Sequence, residues 1–447
     1  MTAERQPMFA SLRVRNYRLF AAGALVSNIG GWMAMVAQDW LVLTELTSGS
    51  ASALGLVAGL QFLPVALCAP LAGAFADRFD KRRVLLVTQS AAAASTIVLF
   101  TLVVTGAVRL WHVFILAGAF GTILSFDNPA RQAFVSEMVS PELLPNAIGL
   151  NSASFNAARL VGPGVAGVLI GAFGIAPVLA INALTYAAVI GALLAMRTAD
   201  LDRTPVAPRE RAVRDGLAYV GRRPDILLVM FIVFMLGTFG LNFPITNALM
   251  ATQIFGKGAE AYGLLGSVMA IGSLAAALLA ARRTKPRLRV LLGSLAGFSG
   301  FSALLAFAPS YPVYAALLVP VGLTAMTVLP SANSMVQLST EPEYRGRVMA
   351  VYMAIFLGGT PIGAPLIGWI GDAWGARWTL LAGSIATALT CLIAGGYLLV
   401  HERHRHRLRP ISPRWLRERI RTRIELRDGS RNAAEESLPA ELDTGRP

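Results

Sequence analysis

The chain has 447 residues, 55% of them apolar and 14% charged, where soluble domains run at about 45–50% and about 25%. That balance excludes an ordinary water-soluble protein, and the apolar supply matches about twelve membrane crossings of roughly 20 residues each. Two cysteines, Cys68 and Cys391, sit far apart in apolar runs, which leaves neither a disulfide framework nor a thiolate metal cluster. A net charge of +14 would suit nucleic acid if it were gathered on a soluble face. Spread among the loops of a hydrophobic chain, it is instead the pattern that orients membrane helices.

In chain order, Arg5, Arg13, Arg15 and Arg18 precede a span too long and too polar-flanked for a signal peptide, so the N-terminus is expected to stay cytoplasmic and uncleaved. Six apolar stretches follow, near 17–43, 51–75, 83–105, 111–127, 145–172 and 176–196. A charged linker over 197–224 carries Pro205 and Pro208. Six more stretches run near 225–252, 260–281, 288–308, 311–335, 346–371 and 376–400. The expected fold is an all-α membrane protein of twelve transmembrane helices in two six-helix bundles, 1–196 and 225–400, with a basic cytoplasmic tail over 401–447. With both termini inside, 35 of the 39 Lys and Arg residues fall in cytoplasmic loops and tails; Arg109, Lys257 and Arg377 lie outside and Arg159 lies within a span. Such asymmetry follows the positive-inside rule.

The halves also repeat. At an offset of 201 residues, Pro141 and Glu142 fall on Pro342 and Glu343, Gly162 on Gly363, Gly167 on Gly368 and Gly174 on Gly375. Repeats related by an axis along the membrane normal place a cavity between two bundles that rock about it.

Between the second and third spans the chain reads Gly73-Ala-Phe-Ala-Asp77-Arg78-Phe-Asp80-Lys81-Arg82-Arg83. This spacing resembles the loop signature of the major facilitator superfamily, with Asp80 where that pattern most often has Gly, so an unusual backbone turn is expected at Asp80. Gly73 permits close helix approach. Asp77 is placed to accept hydrogen bonds from a neighbouring helix N-terminus or to pair with a cation of the other bundle, a latch that would exist in one state only. The fifth span holds Gly162-Pro163-Gly164-Val-Ala166-Gly167, which resembles the superfamily's antiporter signature with Ala166 replacing one Gly. That likeness implies export.

Charges within spans are the costly ones. Arg159 lies about 13 residues, or roughly 20 Å, into its span, near the middle of the core. Asp39 sits toward the outer interface, and Asp127 is expected to end the fourth span. In the superfamily's packing the first and fifth helices share a bundle, so Asp39 and Arg159 either pair, or Asp39 titrates as a proton site that Arg159 tunes; snorkelling of Asp39 is the plain alternative. The superfamily's intramembrane Arg of the fourth span is missing, because that span reads His112-Val-Phe-Ile-Leu-Ala-Gly118. Proton carriage then falls to Asp39. The family lines its cavity with the first, fourth, seventh and tenth helices, which implies substrate contacts at Asn28, Asn242, Asn247, Asn333 and Gln337, although single amides also cross-link helices.

The segment Phe126-Asp127-Asn128-Pro129-Ala130-Arg131-Gln132-Ala133, followed by Pro141-Glu142-Leu143-Leu144-Pro145-Asn146, resembles the bacterial branch that contains siderophore and macrolide exporters. The resemblance implies a secondary transporter of the bacterial inner membrane, a monomer that exports a small amphipathic molecule by alternating access in exchange for protons. The alternatives are an uptake or facilitative carrier and a non-transporting membrane sensor. No nucleotide-binding loop, cofactor site or convergent set of catalytic groups is seen, so no enzyme is expected. In the tail, Trp415, Leu416, Ile420 and Ile424 have the spacing of an amphipathic helix on anionic headgroups, and Ser430–Pro447 reads as disordered. His401, His404 and His406 lack acidic or thiolate company, so no metal is expected there.

Overall fold

The computed structural model describes residues 7–202, 213–281 and 287–407, with backbone alone at 69–70, 73–74, 76–77, 213–214, 281 and 400–407. An apolar run in a bilayer must be helical, because the hydrocarbon offers the backbone no water to bond. Among the described residues, 12 helices are long and apolar enough to cross a membrane. They are α1 (Arg15–Leu46), α2 (Ala51–Arg78), α3 (Lys81–Val104), α4 (Leu110–Met138), α5 (Leu144–Phe173) and α6 (Ile175–Leu194) in the first half. The second half has α7 (Pro224–Ile254), α8 (Ala259–Ala281), α9 (Leu288–Ala306), α10 (Tyr311–Ser339), α11 (Arg345–Trp374) and α12 (Ala376–Arg407). An even number of crossings puts the start of α1 and the end of α6 on one face, called the near face below; the other is the far face. The tail residues Trp415, Leu416, Ile420 and Ile424 lie outside the described residues.

Local chemistry sets the helix ends. Ser50 caps α2 by accepting from the Ala53 N–H, and Asp80 caps α3 by accepting from the Arg83 N–H at 3.1 Å. The unusual turn expected at Asp80 is absent: its φ of −58° is ordinary, because the residue serves as a helix cap. The expected end of the fourth span at 127 is also corrected. α4 continues through Pro129 to Met138, since Asp127 and Arg131, one turn apart, pair at 3.0 Å and cancel each other inside the protein. Helix α7 breaks instead. Pro244 cannot donate to the preceding turn, and the chain leaves the helix at Leu241–Asn242 between π-helical turns Leu236–Gly240 and Met250–Ile254.

The sequence repeat is also a spatial one. Gly162 of α5 lies on Trp32 and Ile29 of α1, and its counterpart Gly363 of α11 lies on Thr238 of α7. Gly167 meets Ala259 and Glu260 at the start of α8, while Gly368 meets Ala51 and Ser52 at the start of α2. Gly174 and Gly375 both take positive φ, 80° and 95°, as they close α5 and α11. Two seams therefore join the halves, α2 against α11 and α5 against α8. Both lie in the unit Met1–Leu392; helical residues 393–407 belong to a second unit.

Near the near face the first half has its own buried core, with Tyr17, Phe20, Leu85, Phe134 and Leu193 from α1, α3, α4 and α6. Tyr17 Oη donates to the Ala147 carbonyl at 2.8 Å, and Asn16 brackets Arg197 with one bond each way, so α1 is tied to both α5 and the end of α6. In the second half, Ser299 of α9 and Ser384 of α12 each donate to the other's carbonyl, at 2.9 and 2.8 Å.

Candidate functional site

The far face is closed by bonds that cross the seams. At the end of α11, Asp372 accepts from the Ala51 N–H at 2.6 Å, the Ser52 N–H at 2.9 Å and Ser50 Oγ at 3.0 Å. A carboxylate there meets both the unpaired N–H groups and the positive dipole end of α2, and charge makes such bonds roughly twice as strong as neutral ones. Beside it, Gln253 Nε2 donates to the Gly49 carbonyl at 3.1 Å. On the second seam, Tyr262 of α8 donates to Asp39 Oδ2 of α1 at 2.8 Å and stacks on Trp40. Pro163 removes a backbone donor from α5 there, and the neighbouring Gly164 N–H donates to Ser267 Oγ of α8 at 3.0 Å. Pro163 itself packs on Gly263 and Gly266 of α8, so Pro163 and Gly167 shape this seam while Gly162 packs on α1 within the first half.

Arg159 lies one turn before Pro163, at mid-depth. Its guanidinium carbon stands 5.8 Å from the centre of the Trp32 ring of α1, and Nη1 is 3.7 Å from Met326 Sδ of α10. Trp32 in turn meets Phe155 edge to face at 5.9 Å. The structure does not bring Arg159 and Asp39 together; Asp39 is engaged by Tyr262. The hydrogen bonds seen between described residues of the two halves lie from this level to the far face.

On the near face, the described loop-motif residues bind within the first half. Lys81 Nζ pairs with Glu137 of α4 at 2.7 Å, and Arg82 Nε donates to the Leu193 carbonyl at 2.7 Å, capping α6. Arg78 is exposed at the end of α2. Gly73 and Asp77 lie in α2, and their side chains are outside the described set. Across the second half, the linker helix Val213–Gly221 braces the start of α11: Asp215 pairs with Arg347 at 3.3 Å and Tyr219 stacks on Tyr344.

The amides divide. Asn242 is buried, and its Nδ2 donates to the Thr238 carbonyl at 2.7 Å, mending the break in α7. Asn247 is buried too and accepts from Tyr314 Oη at 2.8 Å. Both are therefore taken up by bonds within the second half. Asn333 accepts from the exposed Gln337 one turn on, at 2.6 Å. Asn28 is half-buried with no hydrogen-bond partner among the described residues, which leaves it, Asn333 and Gln337 as the amides open to a ligand.

Asp127 is 2% exposed. Oδ1 accepts from Thr88 Oγ1 and Gln89 Nε2, both at 2.7 Å, and Oδ2 accepts from Arg131 Nε at 3.0 Å. A small cavity of about 60 Å³ lies in the same half, lined in part by Gln38, Gln61, Thr96, Asn182 and Tyr186. Sequence reasoning missed Tyr262, Asp372, Gln61 and Asn182. Only Asp372 carries a local signal, an acid closing an apolar run just before the helix-ending Gly375.

Comparison with known proteins agrees with this architecture. Residues 6–430 match the family model described as transmembrane secretion effector. The multidrug efflux pump Tap of Mycolicibacterium fortuitum is 28% identical over 84% of this chain and 93% of its own length. The staphyloferrin A transporter of Staphylococcus aureus is 22% identical over 84% and 94%, and macrolide efflux protein A of Streptococcus pyogenes is 25% identical over 78% and 88%. Among solved structures, a bacterial homologue of the human lysosomal transporter Spinster superposes with a TM-score of 0.70 at 14% identity, covering 88% of this chain and 98% of that one. A point mutant of the nucleoside transporter NupG gives 0.68 at 12%, covering 87% and 99%. With its twelve spans and duplicated halves, the chain belongs to the transmembrane secretion effector family of the major facilitator superfamily, a family of membrane carriers and not of enzymes.

Proposed function

We propose that the protein exports a small amphipathic molecule from a bacterial cell by alternating access, in exchange for protons. The observation that carries this reading is the Asp39–Tyr262 bond, which places an intramembrane carboxylate on the seam that must part when the far face opens. Protonating Asp39 removes the charge that makes this bond strong, so proton binding and far-face opening favour each other. The seal by Asp372 belongs to the same cycle, and the names of the efflux and siderophore relatives support the direction and the kind of cargo.

In this reading the near face is cytoplasmic, in line with its Lys and Arg excess, and the chain works as a monomer. Asp77 provides the opposite latch, at the near end of the same α2–α11 pair that Asp372 ties at the far end. The domain plan is that of the repeat: bundles 1–196 and 225–400, the linker 197–224 between them and the basic tail 401–447 beyond.

Proteoliposomes loaded with a fluorescent amphipathic drug test it. With the near face inside the vesicle, an acidic exterior should accelerate efflux against concentration, and Asp39→Asn should abolish the gradient's effect. Flux indifferent to the gradient overturns proton exchange. Asp77→Asn should leave membrane insertion intact and lower turnover; unchanged turnover reduces the loop to a topology signal.

A further inference from the structure

Four ion pairs are formed among the described residues, Lys81–Glu137, Arg131–Asp127, Arg223–Asp225 and Arg347–Asp215. Arg159 is in none of them, although it lies deepest in the membrane region. A guanidinium carries five N–H donors in a rigid fork suited to a carboxylate. Here one of them touches a thioether, a weak acceptor, and the guanidinium carbon stands over the Trp32 ring. Neither contact replaces an anion.

Arg131 sits inside the first half, is given Asp127, and still has a shut-off Nη1 with no partner. Arg159 has no carboxylate, yet none of its nitrogens is among the buried atoms without a partner. Its free N–H groups therefore reach accessible space. The group sits where the halves meet, because Arg159 and Trp32 come from α5 and α1 of the first half and Met326 from α10 of the second.

We infer that Arg159, with Trp32, Phe155 and Met326 around it, is an anion subsite that receives the carboxylate of an amphipathic organic cargo. The fork takes the charge, while the indole, the phenyl ring and the flexible thioether take an apolar or aromatic body. The vacancy in the protein's own charge pairing is what the ligand supplies. This rests on the reading of the space between the halves as the cargo path, and it adds the sign of the cargo's charge.

The test uses full-length protein in nanodiscs and three probes with one ring system: 2-naphthoate, 2-naphthylmethanol and 2-naphthylmethylamine. Naphthoate should raise the unfolding temperature of the native protein, the alcohol less and the amine not at all. Arg159→Met should weaken naphthoate binding by roughly tenfold or more, the range for losing a bond to a charged group, and leave the alcohol unchanged. Arg159→Lys, which keeps the charge and loses the fork, should recover part of the affinity and shows that the site still folds. Equal response to all three probes, no naphthoate response in the native protein, or undiminished binding in Arg159→Met each overturns the subsite. Gradient-driven efflux of the amine by the native protein, as fast as that of naphthoate, would retain the carrier and discard the anion preference. Naphthoate binding that depends on Arg159 without any flux would retain the subsite and discard the carrier.

Discussion

Two kinds of acidic residue lie within the helices, and they differ in whose atoms hold them. Asp127 is held by Thr88 and Gln89 of α3 and by Arg131 of its own helix, all within the first half. Asp372 and Asp39 are held by α2 and α8, each across a seam. Rocking one half against the other leaves the first set of bonds untouched and must break the second. Under the proposed cycle a carboxylate buried inside a half moves with a rigid body, whereas one on a seam works as a switch, and burial alone does not tell them apart.

The largest expected effect tests the rigid side of this contrast. Asp127→Ala strands Arg131 as an unpaired buried cation, which costs about 3–5 kcal/mol. Loss of the folded peak on size exclusion and a lower unfolding temperature should follow, and Asp127→Ala/Arg131→Met should recover much of the loss. If Asp127→Ala instead unfolds like the native protein and only transport changes, Asp127 belongs with the switching acids and the contrast fails.

The next effect tests the seam. Asp372→Ala removes three bonds from the α2 N-terminus, each worth about 1.5–3 kcal/mol when charged, though water refills part of the gap because the site is at the helix ends. The expected outcome is a change in equilibrium between faces more than in stability. Spin labels at Ser48 and Ala373, on opposite sides of the seam, should show a longer-distance population that grows by roughly tenfold, equivalent to about 1.4 kcal/mol. Identical distance distributions would make the bonds incidental to closure.

Much of the scaffold is legible in the amino-acid sequence. Runs of about 20 apolar residues must be helices in a bilayer, and the Gly162/Gly363 and Gly167/Gly368 repeats predict contacts that prove equivalent in the two halves. Where reading falls short, the cause is pairing that the local sequence does not display. The fourth span looks finished at Asp127 because an acid, a proline and a basic residue within one turn resemble a loop; Thr88 and Gln89, which make that charge tolerable, come from another helix. Asn242 also spans the break in α7 through its bond to Thr238, and propensity does not locate that break. Tyr262 carries no signal at all, being one aromatic residue in an apolar run whose partner is 223 positions away. Seam residues are the hardest to read, since both partners look ordinary until the halves are put together.

The smallest effect separates gating from proton coupling at that same seam. Tyr262→Phe deletes one hydrogen bond while keeping the ring that stacks on Trp40, a change of about 0.5–1.5 kcal/mol. Asp39→Asn keeps an oxygen that can accept from Tyr262 but removes the titrating group. If the bond is a gate and the carboxylate is the proton site, the two variants diverge. Tyr262→Phe should still show gradient-dependent flux, with the far face opening several-fold more often. Asp39→Asn should show a flat pH profile at any opening frequency. Parallel changes in both would mean that Asp39 acts through its hydrogen bond alone, and that the seam is a mechanical closure with no proton in it.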